Sequence, residues 1–156
     1  MKNTITIADN KTLKLTNVLS MKLEITTSVD VNKKISQLEN YIKTKGVNAI
    51  GPLCQKTSYM VDTTGNIKVS FFLMQQCDKY ISNIEAPYSI DSIIRIQNCV
   101  YARFIGPESR LKLAYDKINV FAFEENIDLL NDNYTIYVAK ESDYIIADVF
   151  AEKKIG

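Results

Sequence analysis

Asp148 is the residue whose type and setting most invite chemistry. It stands in YIIADVFAEKK, inside an apolar run. Strand alternation puts Ala147, Val149 and Ala151 on one face and Ile146, Asp148 and Phe150 on the other. A carboxylate in that company either lines a concave surface or sits on the open face of a sheet. Tyr134 and Tyr137 lie three apart on a strand and so face opposite sides. Tyr137 goes with Thr135 and Ala139, and only one of the two rings can share a given face. Tyr101, Tyr59 and Phe72 are further ring candidates, each alternatively a core residue. This is a set suited to binding rather than to bond making.

Reactive groups are scarce. There is no histidine, which removes the commonest general base and the commonest catalytic-metal ligand. No Ser–His–Asp or Cys–His set is therefore possible. Cys54, Cys77 and Cys99 are odd in number and far apart, so they read as reduced, buried thiols rather than a disulfide framework or zinc site. Gly106 is a lone glycine before a helix, without a GxGxxG or Walker pattern. The sequence thus points to no catalytic residue, no metal and no cofactor. Glu24 and Arg103, near the ends of two long strands, are expected to meet as an exposed ion pair of small energetic value.

Nineteen basic against eighteen acidic residues nearly cancel, which argues against direct nucleic-acid binding. Hydrophobic residues make up 46% and charged residues 24%, as in ordinary globular chains. MKNTITIADN lacks the apolar core of a signal peptide. No run approaches the roughly 18 apolar residues that span a membrane. The expectation is a cytoplasmic protein that does not engage membranes.

The elements that must position these residues follow from periodicity. Thr4 to Ile7 alternate like a short edge strand or a disordered start, and Asp9-Asn10 reads as a turn. A strand is predicted over about 12–27, with a bulge where Asn17 and Ser20 break the phase. Ser28 or Asp30 can cap a helix whose stripe is Val31, Ile35, Leu38 and Ile42, with Gly46 as its left-handed terminator. Strands follow at about Leu53–Met60, after Gly51-Pro52, and at Ile67–Met74. DTTGN forms the turn between them, and Gly65-Asn66 tolerate positive φ. VSFFLM reads as the core of a central strand. The connector 78–90 holds Tyr80, Ile81, Ile84 and Tyr88, too apolar for a solvated linker, so it is expected to lie packed on the body. A strand at Ile93–Ile105 comes next. Gly106-Pro107-Glu108 then opens a helix with a buried stripe of Leu111, Ala114 or Tyr115, Ile118 and Ala122. Phe121 and Phe123 point elsewhere, and Asn126 stands where Gly46 stood. The last strands are Tyr134–Ala139 and Tyr144–Ala151, joined by Glu141-Ser142-Asp143.

The two halves share this grammar. Asn17-Val18 stands 81 residues before Asn98-Cys99, Gly46-Val47 stands 80 before Asn126-Ile127, and Phe71-Phe72 stands 78 before Val149-Phe150. The chain is therefore read as one α+β domain, 1–156. Its first βαββ repeat covers about 12–77, the connector 78–90, and the second repeat about 91–154.

On these residues the chain resembles the GyrI-like effector-binding domains. They occur as ligand-binding halves of bacterial transcription activators and as stand-alone proteins of a duplicated SHS2 fold. The resemblance rests on the repeated βαββ order, on Gly51-Pro52, on FIGPESRL after the fourth strand, and on YTIYVAKES followed by DYIIADVFAEKK. LTNVLSMKLEITTS is also similar to a Firmicute subgroup often encoded beside LXG-type toxins. The resemblance implies pseudo-two-fold halves, an antiparallel sheet, two helices on one face and a concave groove on the other. In drug-binding relatives the groove is aromatic and holds an unpaired carboxylate, commonly Glu on the last strand. Aromatic faces and a poorly solvated anion suit lipophilic cations. Here the matching position holds Asp148, one methylene shorter.

The reading is a stand-alone, non-enzymatic module that binds a small amphipathic or cationic molecule, with Asp148, Tyr137, Tyr134, Tyr101, Tyr59 and Phe72 as candidate contacts. About 12 residues precede the first long strand, too few for a fused helix-turn-helix, so a regulator would act through a separate partner. Phe123, Tyr80 and Tyr88 are candidates for a protein interface. One alternative is a protein-docking adaptor or chaperone-like accessory of a type VII-secreted LXG toxin cluster. The other is a small hydrolase of the same fold, which would need a pair of carboxylates that the sequence does not place.

Overall fold

The computed structural model describes residues 3–23 and 30–154. The element order is β1 (Thr4–Leu23), α1 (Val31–Thr44), β2 (Cys54–Val61), β3 (Ile67–Gln76), β4 (Tyr88–Pro107), α2 (Lys112–Glu124), β5 (Leu129–Glu141) and β6 (Tyr144–Lys153). This is βαββ twice. The residues fall into two compact units. The N-terminal unit is 14–94, and the C-terminal unit is 95–154 with residues 3–13.

In the N-terminal unit β3 is central. It pairs antiparallel with β1 through Val18–Leu23 and with β2 through Cys54–Val61. Asp30 caps α1 by accepting from the Lys33 backbone N–H, and Gly46 follows at φ 73. Ser28 and the predicted strand end at 24–27 lie outside the described residues. Leu38 and Ile42 are buried and Ile35 packs against them, but Val31 is exposed, so the stripe starts one turn late. Its partners are Leu19, Met21, Leu23 and Leu73. The connector packs as expected: Ile81 is buried in this core, Ile84 and Tyr88 lie against it, and the Tyr88 ring stacks on Tyr41 at 3.7 Å. In the hairpin turn Gly65 alone takes positive φ, while Asp62 Oδ1 accepts from the backbone N–H groups of Thr64 and Asn66.

In the C-terminal unit β6 is central, paired antiparallel with β4 and β5. Leu111, Ala114, Ile118 and Ala122 form the buried stripe, the first three packed with Val100, Ala102, Phe104, Ala147 and Val149. Phe121 joins this core from its edge, and Phe123 stands in solvent. Pro107 ends β4 rather than opening a helix. A 3-10 turn at Glu108–Arg110 intervenes before α2. Gly106 is required for space: a Cβ there would meet the Asn3 Cβ at 2.7 Å.

Several expectations are corrected. Thr4–Ile7 is neither separate nor disordered but the start of β1, which runs on through Asp9-Asn10. Asn10 takes φ 56 inside the strand, because asparagine tolerates the left-handed region. Lys153 Nζ fixes that place, 2.6 Å from Asp9 Oδ1 and 2.8 Å from Asn10 Oδ1. β4 starts at Tyr88 and β5 at Leu129, both earlier than periodicity indicated.

The two asparagines that break the strand phase behave alike: Asn17 has φ 48 and Asn98 φ 59. The cross-strand registers then define equivalent positions. Lys22 pairs with Phe72, and Arg103 pairs with Asp148. Phe72 is therefore the counterpart of Asp148, and Met74 of Phe150. The offset is 76 at this strand, and the 78 read from Phe71-Phe72 is corrected. The difference arises before β6, where β5 bulges between Tyr137 and Ala139 and the β5–β6 turn is shorter than that between β2 and β3.

Candidate functional site

The β4–β6–β5 register writes out the face turned away from α2. One row is Tyr101, Phe150 and Tyr134; the next is Arg103, Asp148 and Ile136. Directly opposed residues project to the same side, so these six share one face. Tyr134 and Phe150 are buried, Tyr101 is half-buried, and Arg103 is exposed. The Tyr101 and Phe150 rings lie 5.0 Å apart, tilted by 50°.

Asp148 is engaged on both oxygens. Oδ1 accepts from the Tyr101 hydroxyl at 2.7 Å and from Arg103 Nε at 2.8 Å, and Oδ2 accepts from Arg103 Nη2 at 2.9 Å. The arginine contact is bidentate, the geometry in which guanidinium and carboxylate planes match. The Asp148 side chain is 14% exposed and that of Arg103 45%, so the carboxylate is recessed and the guanidinium presented. The Asp148 hydrogen bonds and charge raise the Arg103 guanidinium above its ordinary value. Burial, then the bond to Asp148, pushes the Tyr101 phenol up. The cluster thus joins one acidic, one basic and one phenolic side chain. Both Asp148 oxygens are taken up by these three hydrogen bonds. The arrangement holds and orients.

This corrects one expectation. The unpaired anion implied by the resemblance is instead paired. Arg103 bonds to Asp148, its direct cross-strand neighbour; the Glu24–Arg103 pair expected from sequence involves Glu24, which lies outside the described residues. Arg103 is the residue whose contact with Asp148 sequence reasoning missed. Only the β4–β6 register brings it to a residue 45 positions away.

The other candidates separate by face. Tyr137 pairs with Ala147 and packs into the core beneath α2, on the opposite side from Asp148. Phe72 lies in the N-terminal unit on the face turned away from α1, between Lys22 and Lys56, and the Lys56 ammonium is 5.5 Å from its ring centroid. Tyr59 has the opposite parity to Lys56 on β2, which puts it on the α1 side, half-exposed near the hairpin. Of the six candidates, Asp148, Tyr101 and Tyr134 come together. Among the described residues no group of three or more Cys, Asp and Glu could hold a metal. No helix among them is long and apolar enough to cross a membrane.

No protein-family model and no curated protein matches the sequence. Solved structures do. The chain superposes on the C-terminal domain of EcmrR with a TM-score of 0.69, at 13% identity and over the whole of both chains. The fold is GyrI-like. EcmrR in a complex with DNA is matched at a TM-score of 0.62 and 14% identity, over 99% of this chain and 58% of that one. A hydrolase from Listeria innocua is matched at 0.58 and 9% identity, over 96% of this chain and 91% of that one. At such identities the GyrI-like likeness concerns architecture: two βαββ units, each with a central last strand and one helix.

Proposed function

We propose that this chain is a non-enzymatic module that binds a small amphipathic molecule on the face of its C-terminal unit turned away from α2. Tyr101 supplies the accessible ring. Phe150, buried beside it, keeps that ring in place, and Tyr134 extends the row beyond Phe150. Arg103 and Asp148 supply the polar contact. Phe72, beside Lys22 and Lys56, offers a smaller version of the same chemistry in the N-terminal unit. The observation that carries this reading is the Tyr101–Arg103–Asp148 cluster at the end of an aromatic row, since ligand sites combine apolar contact with a few fixed polar groups. The GyrI-like architecture supports it, because the resemblance is to effector-binding domains. The hydrolase reading asks for converging carboxylates, whereas the groups bonded to Asp148 are a phenol and a guanidinium.

Thermal shift against a panel of aromatic amphiphiles of each charge tests the proposal, with Tyr101→Ala as comparison. A ligand at 100 times its Kd stabilises a fold by about 2.7 kcal/mol, a rise of a few degrees for a chain of this size. A rise in the wild type that is lost in Tyr101→Ala supports binding at this face. A panel with no stabiliser sinks the small-molecule reading.

A further inference from the structure

The charge of the site has a sign, and it decides which amphiphile fits. Asp148 spends both oxygens on Tyr101 and Arg103. A cationic ligand would have to displace a bidentate arginine before it met a negative charge. Arg103 is less committed. A guanidinium carries five N–H donors, and Asp148 takes only those of Nε and one on Nη2. No hydrogen bond from Nη1 exists among the described residues. The guanidinium is also the more exposed partner, 45% against 14%. What the cluster presents outward is thus an oriented donor fork beside a half-buried phenol ring. The corresponding place in the N-terminal unit has the same sign, with Lys22 and Lys56 flanking Phe72.

Building on the small-molecule reading above, we infer that the ligand is an aromatic anion, a ring carrying a carboxylate or sulfonate. Its acid group accepts from Arg103, and its ring lies against Tyr101. Asp148 is a positioning residue: it fixes the plane of the guanidinium and does not itself touch the ligand. This reverses the preference that an unpaired carboxylate at the same position would impose.

Three probes with one ring system test the assignment: naphthoate, naphthylmethanol and naphthylmethylammonium, titrated into the full chain by calorimetry. Naphthoate is expected to bind about tenfold more tightly than the neutral alcohol, the order of one charge-assisted hydrogen bond, and the ammonium most weakly. Arg103→Met should level the three, and Arg103→Lys should restore part of the preference. Asp148→Asn, which leaves an acceptor oxygen for Arg103, should keep naphthoate the tightest. In the unaltered protein, naphthoate should shift the Arg103 Nε–H resonance, a readout independent of how any variant folds. Tighter binding of the ammonium, lost in Asp148→Asn, overturns the inference and leaves the small-molecule reading standing. Equal binding of all three, or an unmoved Arg103 resonance, also overturns it. If none of the three binds, the reading it rests on fails with it.

Discussion

At one cross-strand position the two units differ in kind. In the C-terminal unit Asp148 lies between Arg103 and Ile136; in the N-terminal unit Phe72 lies between Lys22 and Lys56. One row further, Tyr101, Phe150 and Tyr134 correspond to Ser20, Met74 and Cys54. On the helix side the units agree. Leu19, Met21, Leu23, Leu38, Ile42 and Leu73 correspond to Val100, Ala102, Phe104, Ile118, Ala122 and Val149, and all twelve are buried. The difference teaches which face carries which duty. The helix-covered face must stay apolar for either unit to bury its stripe. The other face is free to vary, and there charge and aromatic area have been redistributed.

The largest expected effect breaks the agreement on the helix side. In the C-terminal unit most core positions are small, and Phe104, fully buried, fills the space they leave. Phe104→Ala should cost about 3–5 kcal/mol, more than Leu23→Ala at the equivalent place, both read from urea midpoints at unchanged slope. Equal losses would mean that Phe104 is no more central than Leu23.

Next comes the pair Cys54 and Tyr134. Burial pushes the Cys54 thiol up to about 12. The unfolded chain ionises this thiol from about pH 9 upward while the native protein does not, so stability is whole below pH 9 and falls as pH rises toward the native value. The loss is about 1.4 kcal/mol per pH unit in that window. Cys54→Ala should flatten the alkaline limb of a melting-temperature profile relative to the wild type. An unchanged limb would place the alkaline loss in other groups.

A smaller effect tests the polar cluster against its counterpart. A double-mutant cycle of Arg103→Met and Asp148→Leu should show a coupling of about 1 kcal/mol, kept modest by the exposure of Arg103. Lys22→Met with Phe72→Leu should show almost none. Comparable couplings would dissolve the distinction between the two faces.

Much of the fold was legible in the sequence, because helix stripes, caps and turn residues are local. Leu38 and Ile42, Ile118 and Ala122, Gly46 and Asn126 could each be placed from spacing alone. The continuity of β1 could not. Asp9-Asn10 has the chemistry of a turn, and only the tie to Lys153, far along the chain, shows it to be one left-handed residue inside a strand. The candidate site was half legible. Alternation put Asp148 beside Phe150 and separated Tyr134 from Tyr137. The partner of Asp148, however, is a matter of register between strands 45 residues apart, and the offset of the last strand depends on a bulge and a turn length that periodicity cannot resolve.

The smallest effect asks whether the two units are truly equivalent where their long strands change phase. Asn17 and Asn98 both adopt positive φ, a conformation that costs most side chains about 1–2 kcal/mol and asparagine less. Alanine at either site should therefore destabilise by about 1 kcal/mol, and glycine, which meets no such penalty, should be near neutral. The shared backbone predicts the same ranking at both sites and losses matched to within about 0.5 kcal/mol, the usual tolerance for independent positions. The Asn17 carbonyl accepts from the Cys77 backbone N–H at 2.9 Å. That bond belongs to the main chain and survives either substitution. Matched losses from denaturant titrations of Asn17→Ala and Asn98→Ala would tie both phase breaks to one backbone cause. A large loss at one site and none at the other would show that the units reached similar dihedrals for different reasons, and the offset of 81 that aligns their first strands would lose its physical basis.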